Sequence, residues 1–86
     1  MKLKKEFITH ITGEEALLVP TGAAGFSGLV KGNKTLGAIL ELLKTETTEQ
    51  QIVSAMCARF NGAEETIVKD VKRALAELRK IGALDE

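Results

Sequence analysis

The sequence predicts an α+β domain resembling a winged helix-turn-helix, with a three-stranded antiparallel sheet followed by three α-helices in the order β-β-β-α-α-α. Three observations lead there. The first third carries short β-rich runs, the last two-thirds carries apolar residues at helical spacing, and turn or cap residues separate the segments. No repeat and no long linker divides the 86 residues, so residues 1–86 form a single domain.

Phe7-Ile-Thr-His-Ile11 and Ala16-Leu-Leu-Val19 read as the first two strands, joined through Thr12-Gly13-Glu14 as a hairpin. Pro20 ends the second strand, because it brings no N–H to a ladder. Thr21-Gly-Ala-Ala-Gly25 is a loop, and Phe26-Ser-Gly-Leu-Val-Lys-Gly-Asn33 holds the third strand around Leu29 and Val30. That strand has little apolar surface and is bracketed by Gly28 and Gly32.

Asn33 is a suitable N-cap for helix one, about residues 34–44, with Leu36, Ile39, Leu40 and Leu43 at i, i+3, i+4, i+7. Thr48, with Gln51 three residues on, forms a capping box for helix two, which presents Ile52, Ala55, Met56 and Phe60. Asn61-Gly62 offers a left-handed stop. Helix three spans about Ala63 to Ile81, with an apolar face of Ile67, Val71, Ala74, Leu75 and Leu78. Glu64 and Glu65 suit its positive end, Arg79 and Lys80 its negative end, and Gly82 stops it. Ala83-Leu84 then docks back on the core.

Twelve Lys and Arg balance twelve Asp and Glu, so there is no general attraction to nucleic acid or to an anionic membrane. No apolar run approaches the roughly 20 residues of a membrane span. The single Cys57 cannot form an internal disulfide, and nothing resembles a signal peptide; a soluble cytoplasmic protein is expected. With three Phe and neither Trp nor Tyr, the core is aliphatic.

Catalytic chemistry needs converging reactive groups. His10 and Cys57 lie in different elements; the first reads as a surface residue, the second as a small hydrophobe. Neither has a partner at metal-ligand spacing, so no metal and no cofactor is expected. Gly28-Leu-Val-Lys-Gly-Asn-Lys-Thr35 echoes a phosphate-binding loop, but only three residues separate its glycines and Asn33 precedes the lysine. Glu14-Glu15 and Glu64-Glu65 read as solvated turn and helix-start residues. An enzyme is not the expectation.

The order of these motifs resembles the PqqD family. Phe26-Ser-Gly28 resembles that family's short aromatic-x-Gly strand, and Asn33-Lys-Thr-Leu-Gly-Ala-Ile-Leu-Glu-Leu-Leu43 its N-x-T-G-A-x-I-W-E-L-L segment. Thr48-Thr-Glu-Gln-Gln-Ile-Val53 resembles the opening of its second helix, and Asp70-Val71, Leu75, Leu78 and Gly82-Ala-Leu84 its ending. The likeness runs from about Phe7 to Leu84. Leu36 and Leu40 depart from the usual Thr and Trp, which suggests a divergent member.

The resemblance implies a peptide-binding module, also called a RiPP recognition element. Such a module binds the leader of a ribosomally made precursor peptide and presents it to a radical SAM or other modifying enzyme. The leader lies as an extra strand on strand three, in the groove beside helix three. On that reading Phe26, Ser27, Gly28, Leu29, Val30 and Lys31 supply the strand wall. Val68 and Leu75, beside Lys72 and Arg79, are the expected helix wall, with the two cations meeting acidic leader residues. Asp70, Arg73 and Glu77 lie on the opposite edge and are the alternative wall. Two other functions compete. A DNA-binding winged helix needs a basic recognition helix, and helix two carries Glu49 and only Arg59. A structural or oligomerisation domain is the other; a homodimer is compatible with peptide binding.

Overall fold

Alternating burial folds the first third into a hairpin, and the periodic apolar stripes of the rest pack three helices onto it. In chain order the elements are β1 (Lys2–Leu3), β2 (Phe7–Thr12), β3 (Glu15–Pro20), β4 (Val30–Asn33), α1 (Lys34–Leu42), α2 (Glu49–Arg59), α3 (Glu64–Lys80) and β5 (Leu84–Asp85). The computed structural model describes residues 1–21 and 30–86. Phe26, Ser27, Gly28 and Leu29 of the expected strand wall lie outside the described residues.

The three-stranded sheet has the order β2-β3-β4, antiparallel throughout. Gly13-Glu14 makes a two-residue connection, with Thr12 opposite Glu15 and Ile8 opposite Val19. On β3, Ala16 and Leu18 point into the core, and opposite them on β4 stand Gly32 and Val30. The other face of the sheet is open, with Ile8 56% and Val19 38% exposed as a cross-strand pair.

The helices close the core with Ile39, Leu40 and Leu43, Ile52 and Met56, and Ile67, Val71, Leu75 and Leu78. At the N-terminus of α1 the Asn33 side chain accepts the Leu36 N–H at 3.2 Å. Thr48 and Gln51 form the expected capping box on α2. Gly82 adopts φ 74 and stops α3 in the left-handed region. Gly62 does not serve α2 in that way: among the described glycines only Gly82 has positive φ, and α2 instead ends at Phe60 in extended backbone (φ −120, ψ 141). An extended residue breaks the i→i−4 ladder without a glycine. Helix one is also shorter than expected, with Leu43 as its C-cap.

β1 and β5 form a two-stranded ladder, Lys2 opposite Asp85 and Leu3 opposite Leu84. Ala83 and Leu84 are buried, so the segment after Gly82 docks back as expected. Its strand partner was not foreseen. Leu3 N–H donates to the Leu43 carbonyl at 2.9 Å and Lys4 N–H to the Ala83 carbonyl at 2.8 Å, which ties β1 to the end of α1 and to the turn after α3.

Two glycines permit close approach. β4 runs straight into α1, and a Cβ on Gly32 would meet Leu36 Cβ at 2.9 Å and collide with its Cδ2. A Cβ on Gly37 would meet Ile11 Cγ2 at 3.2 Å and Ala16 Cβ at 3.4 Å, so α1 lies against the β2–β3 hairpin at that point.

Candidate functional site

Among the described residues the backbone of β4 has one side without a strand. In an antiparallel pair, alternate residues aim both N–H and C=O at a given neighbour. Thr12 and Glu15 flank a two-residue turn, the position of a hydrogen-bonded pair, and Thr21 N–H donates to the Glu6 carbonyl at 2.8 Å in the same parity. Odd residues of β3 therefore face β2, and even residues face β4. Val30 and Gly32 bond to β3, while Lys31, opposite Leu17, aims its N–H and C=O outward. Among the described residues no strand covers that edge.

Beside the edge lies a hollow of about 300 Å³ between β4, the start of α1 and the second half of α3. Val30, Leu36, Ile39, Ala74, Leu78 and Ile81 give it an apolar floor. Asp70, Arg73 and Glu77, one helical stripe of α3, form its polar rim with Asn33 and Thr35. Among the described residues none of those three charges is in an ion pair.

The hollow thus takes the Asp70–Arg73–Glu77 edge of α3. Val30 lines it, and Lys31 sits on the strand beside it. Val68, Lys72, Leu75 and Arg79 do not line it. Leu75 is fully buried core, Val68 is half-buried and Lys72 is exposed. Arg79 holds Glu86 in a two-pronged pair, Nε to Oε2 and Nη2 to Oε1, each at 3.0 Å. That hydrogen bonding, reinforced by charge attraction, lowers the Glu86 carboxyl below its usual range and raises the Arg79 guanidinium. The Lys31 side chain lies on the solvent face of the sheet and meets Glu15 at 3.1 Å.

Ala74 and Ile81 were not singled out as site residues. Their signal was present in the sequence, as small or apolar side chains at i, i+7 on the stripe between the Asp70–Arg73–Glu77 edge and the buried Leu78. A helical wheel places them at the margin of the apolar face, where core and groove look alike.

The reactive side chains lie elsewhere. His10 is exposed on the solvent face of the sheet, and Cys57 is half-buried against the core. No cluster of three or more His, Cys, Asp or Glu able to hold a metal occurs among the described residues. Arg59, the one cation of α2, lies 4.0 Å from Glu41. No helix among the described residues is long and apolar enough to cross a membrane.

A three-stranded antiparallel sheet followed by three helices, with an uncovered strand beside an apolar hollow, defines a small α+β domain of winged helix-turn-helix type. The family model described as "Coenzyme PQQ synthesis protein D (PqqD)" matches residues 15–84, and the chain belongs to that family. The fold is also that of a solved structure, "TbiB1 in Complex with the TbiA(beta) Leader Peptide", at TM-score 0.77 and 20% identity, over 99% of this chain and 100% of that one. No curated protein matches the chain.

Proposed function

We propose that this protein binds the leader segment of a ribosomally synthesised precursor peptide as an added strand on β4 and presents it to a modifying enzyme, a radical SAM enzyme in the first instance. The observation that carries this reading is the uncovered Lys31 backbone alongside the apolar hollow. Membership of the PqqD family supports it, as does the shared fold with TbiB1, a protein solved with a leader peptide. An exposed strand edge offers main-chain bonds to any extended peptide, and an adjoining pocket for alternate side chains supplies selectivity.

The strand wall is Val30 and Lys31, continued by Phe26, Ser27, Gly28 and Leu29. The helix wall is Asp70, Arg73, Ala74 and Glu77 in place of Val68, Lys72, Leu75 and Arg79. Four ladder bonds at about 0.5–1.5 kcal/mol net contribute roughly 2–6 kcal/mol. Ordering the leader costs about 2–5 kcal/mol, so pairing alone binds weakly. Apolar anchors over Val30, Leu36 and Ile81, at about 1.5–3 kcal/mol each, bring the total towards the roughly 8 kcal/mol of a micromolar complex. The chain contributes no catalytic group to the modification.

Fluorescence anisotropy with labelled leader peptides from precursors encoded beside this gene tests the reading. Saturable micromolar binding of a leader, and none of the remainder of the same precursor, is expected. Equal binding of both halves, or of neither, contradicts it.

A further inference from the structure

Resting on the proposed peptide site, we infer that the bound segment places an apolar anchor between two basic residues, which meet Asp70 and Glu77. Asp70 and Glu77 are two helical turns apart, about 10 Å along the axis at 1.5 Å per residue. Arg73 stands between them, so the rim reads acid–base–acid over an apolar floor. Rise per residue in an extended chain is about 3.3 Å and side chains alternate faces, so two cations and an anchor midway between them share the face towards α3 when the cations stand four residues apart, the long basic side chains taking up the difference.

The other wall does not cancel this pattern. Lys31 is the only charged side chain of β4, and it lies on the opposite face of the sheet against Glu15. Lys72 is exposed and Arg79 is engaged by Glu86, both away from the hollow. Among the described residues Arg73 is therefore the one cation lining the hollow, against two carboxylates. Among the described residues neither carboxylate has an ion-pair partner within the chain. An acidic segment seated here would set like charges together at both ends of the rim, which costs affinity and rejects wrong partners more than it weakens right ones. Acidic side chains are accepted at one place, opposite Arg73.

The test is selection of phage-displayed random dodecapeptides on the full chain, followed by titration of the enriched sequences. Enrichment of Lys or Arg on both sides of an apolar residue, four apart with the apolar residue midway, is expected. Asp70→Lys with Glu77→Lys should weaken those peptides roughly tenfold and turn the selected brackets acidic. Brackets of Asp or Glu on the unaltered chain, or no charge preference in the bracket, overturn the inference. Ala74→Arg, which fills the hollow, separates the two claims. Loss of binding in that variant with the wrong bracket leaves the groove standing and removes the charge rule. Binding that survives Ala74→Arg, or a selection that enriches nothing, removes both. Far-UV circular dichroism of each variant checks that the fold is intact.

Discussion

The sheet has two outer strands, β2 and β4, and they differ in what lies beside them. Next to β2 is the larger hollow, about 730 Å³, which reaches Leu3, Phe7 and Thr9 but is rimmed by Lys2, Lys4, Lys5 and Lys44 with Glu6 and Asp85. Next to β4 is one of about 300 Å³ with an apolar floor. Lysines along an edge repel an incoming chain and keep the edge hydrated, whereas an apolar trough beside bare backbone invites one. Size is therefore a poor guide to the site. The edge that accepts a guest strand is the one whose flank can bury its side chains.

The largest effect should come from filling the smaller hollow. Ala74→Arg removes space for an apolar anchor worth about 1.5–3 kcal/mol and should weaken leader binding about tenfold to a hundredfold. Lys5→Glu beside β2 should change the same titration by less than twofold. Equal losses would erase the distinction between the two flanks.

Proline separates the edges by backbone alone. Lys31→Pro removes an outward N–H of β4 without touching a bond to β3, and Thr9→Pro does the same on β2. The first should cost about five- to thirtyfold in leader affinity, at roughly 1–2 kcal/mol for lost and distorted ladder bonds, while the second leaves affinity unchanged. Isothermal titration of both proteins reads the difference.

The junction that shapes the groove is read in stability, not in affinity. Gly32→Ala should destabilise by about 1–3 kcal/mol, because the added methyl pushes Leu36 out of its seat on β4. Chemical denaturation measures this, and Gly13→Ala, where a Cβ meets nothing within 4 Å, is the control.

The smallest effect is at the far end of α3. The Glu86 carboxyl is lowered in the folded chain, so its pairing with Arg79 stabilises above the ordinary carboxylate range and is lost as pH falls through the lowered value. Both groups are exposed. The expected result is a slightly steeper loss of stability on acidification for the parent chain than for Glu86→Gln, with leader affinity at neutral pH equal in both.

These differences show what the sequence made legible. The stripes of Ile39, Leu40, Leu43, Val71, Leu75 and Leu78 set the helices and their buried faces, because period 3.6 reports directly on one-sided burial. The caps at Asn33 and Thr48 were readable because capping is local hydrogen bonding. β1 and β5 were not, since a ladder of two residues leaves no periodic trace and depends on Leu43 and Ala83 far along the chain. The end of α2 near Phe60 was legible, but its stop was assigned to Asn61-Gly62 because glycine marks permission for positive φ, and the chain turned at Phe60 without it. The edge of α3 facing β4 was beyond the helical wheel, which ranks faces by polarity but carries no information on which neighbour each margin meets. Lys72 and Arg79 looked attractive as cations beside an apolar face; Arg79 is held by Glu86, seven residues on.

Amide hydrogen exchange of the chain with and without a saturating leader peptide tests the uncovered-edge account most directly. Binding should slow exchange at Lys31 by at least tenfold and leave Thr9 and Ile11, the outward-facing amides of β2, unchanged. Unchanged exchange at Lys31, or slowing confined to Thr9 and Ile11, would contradict it.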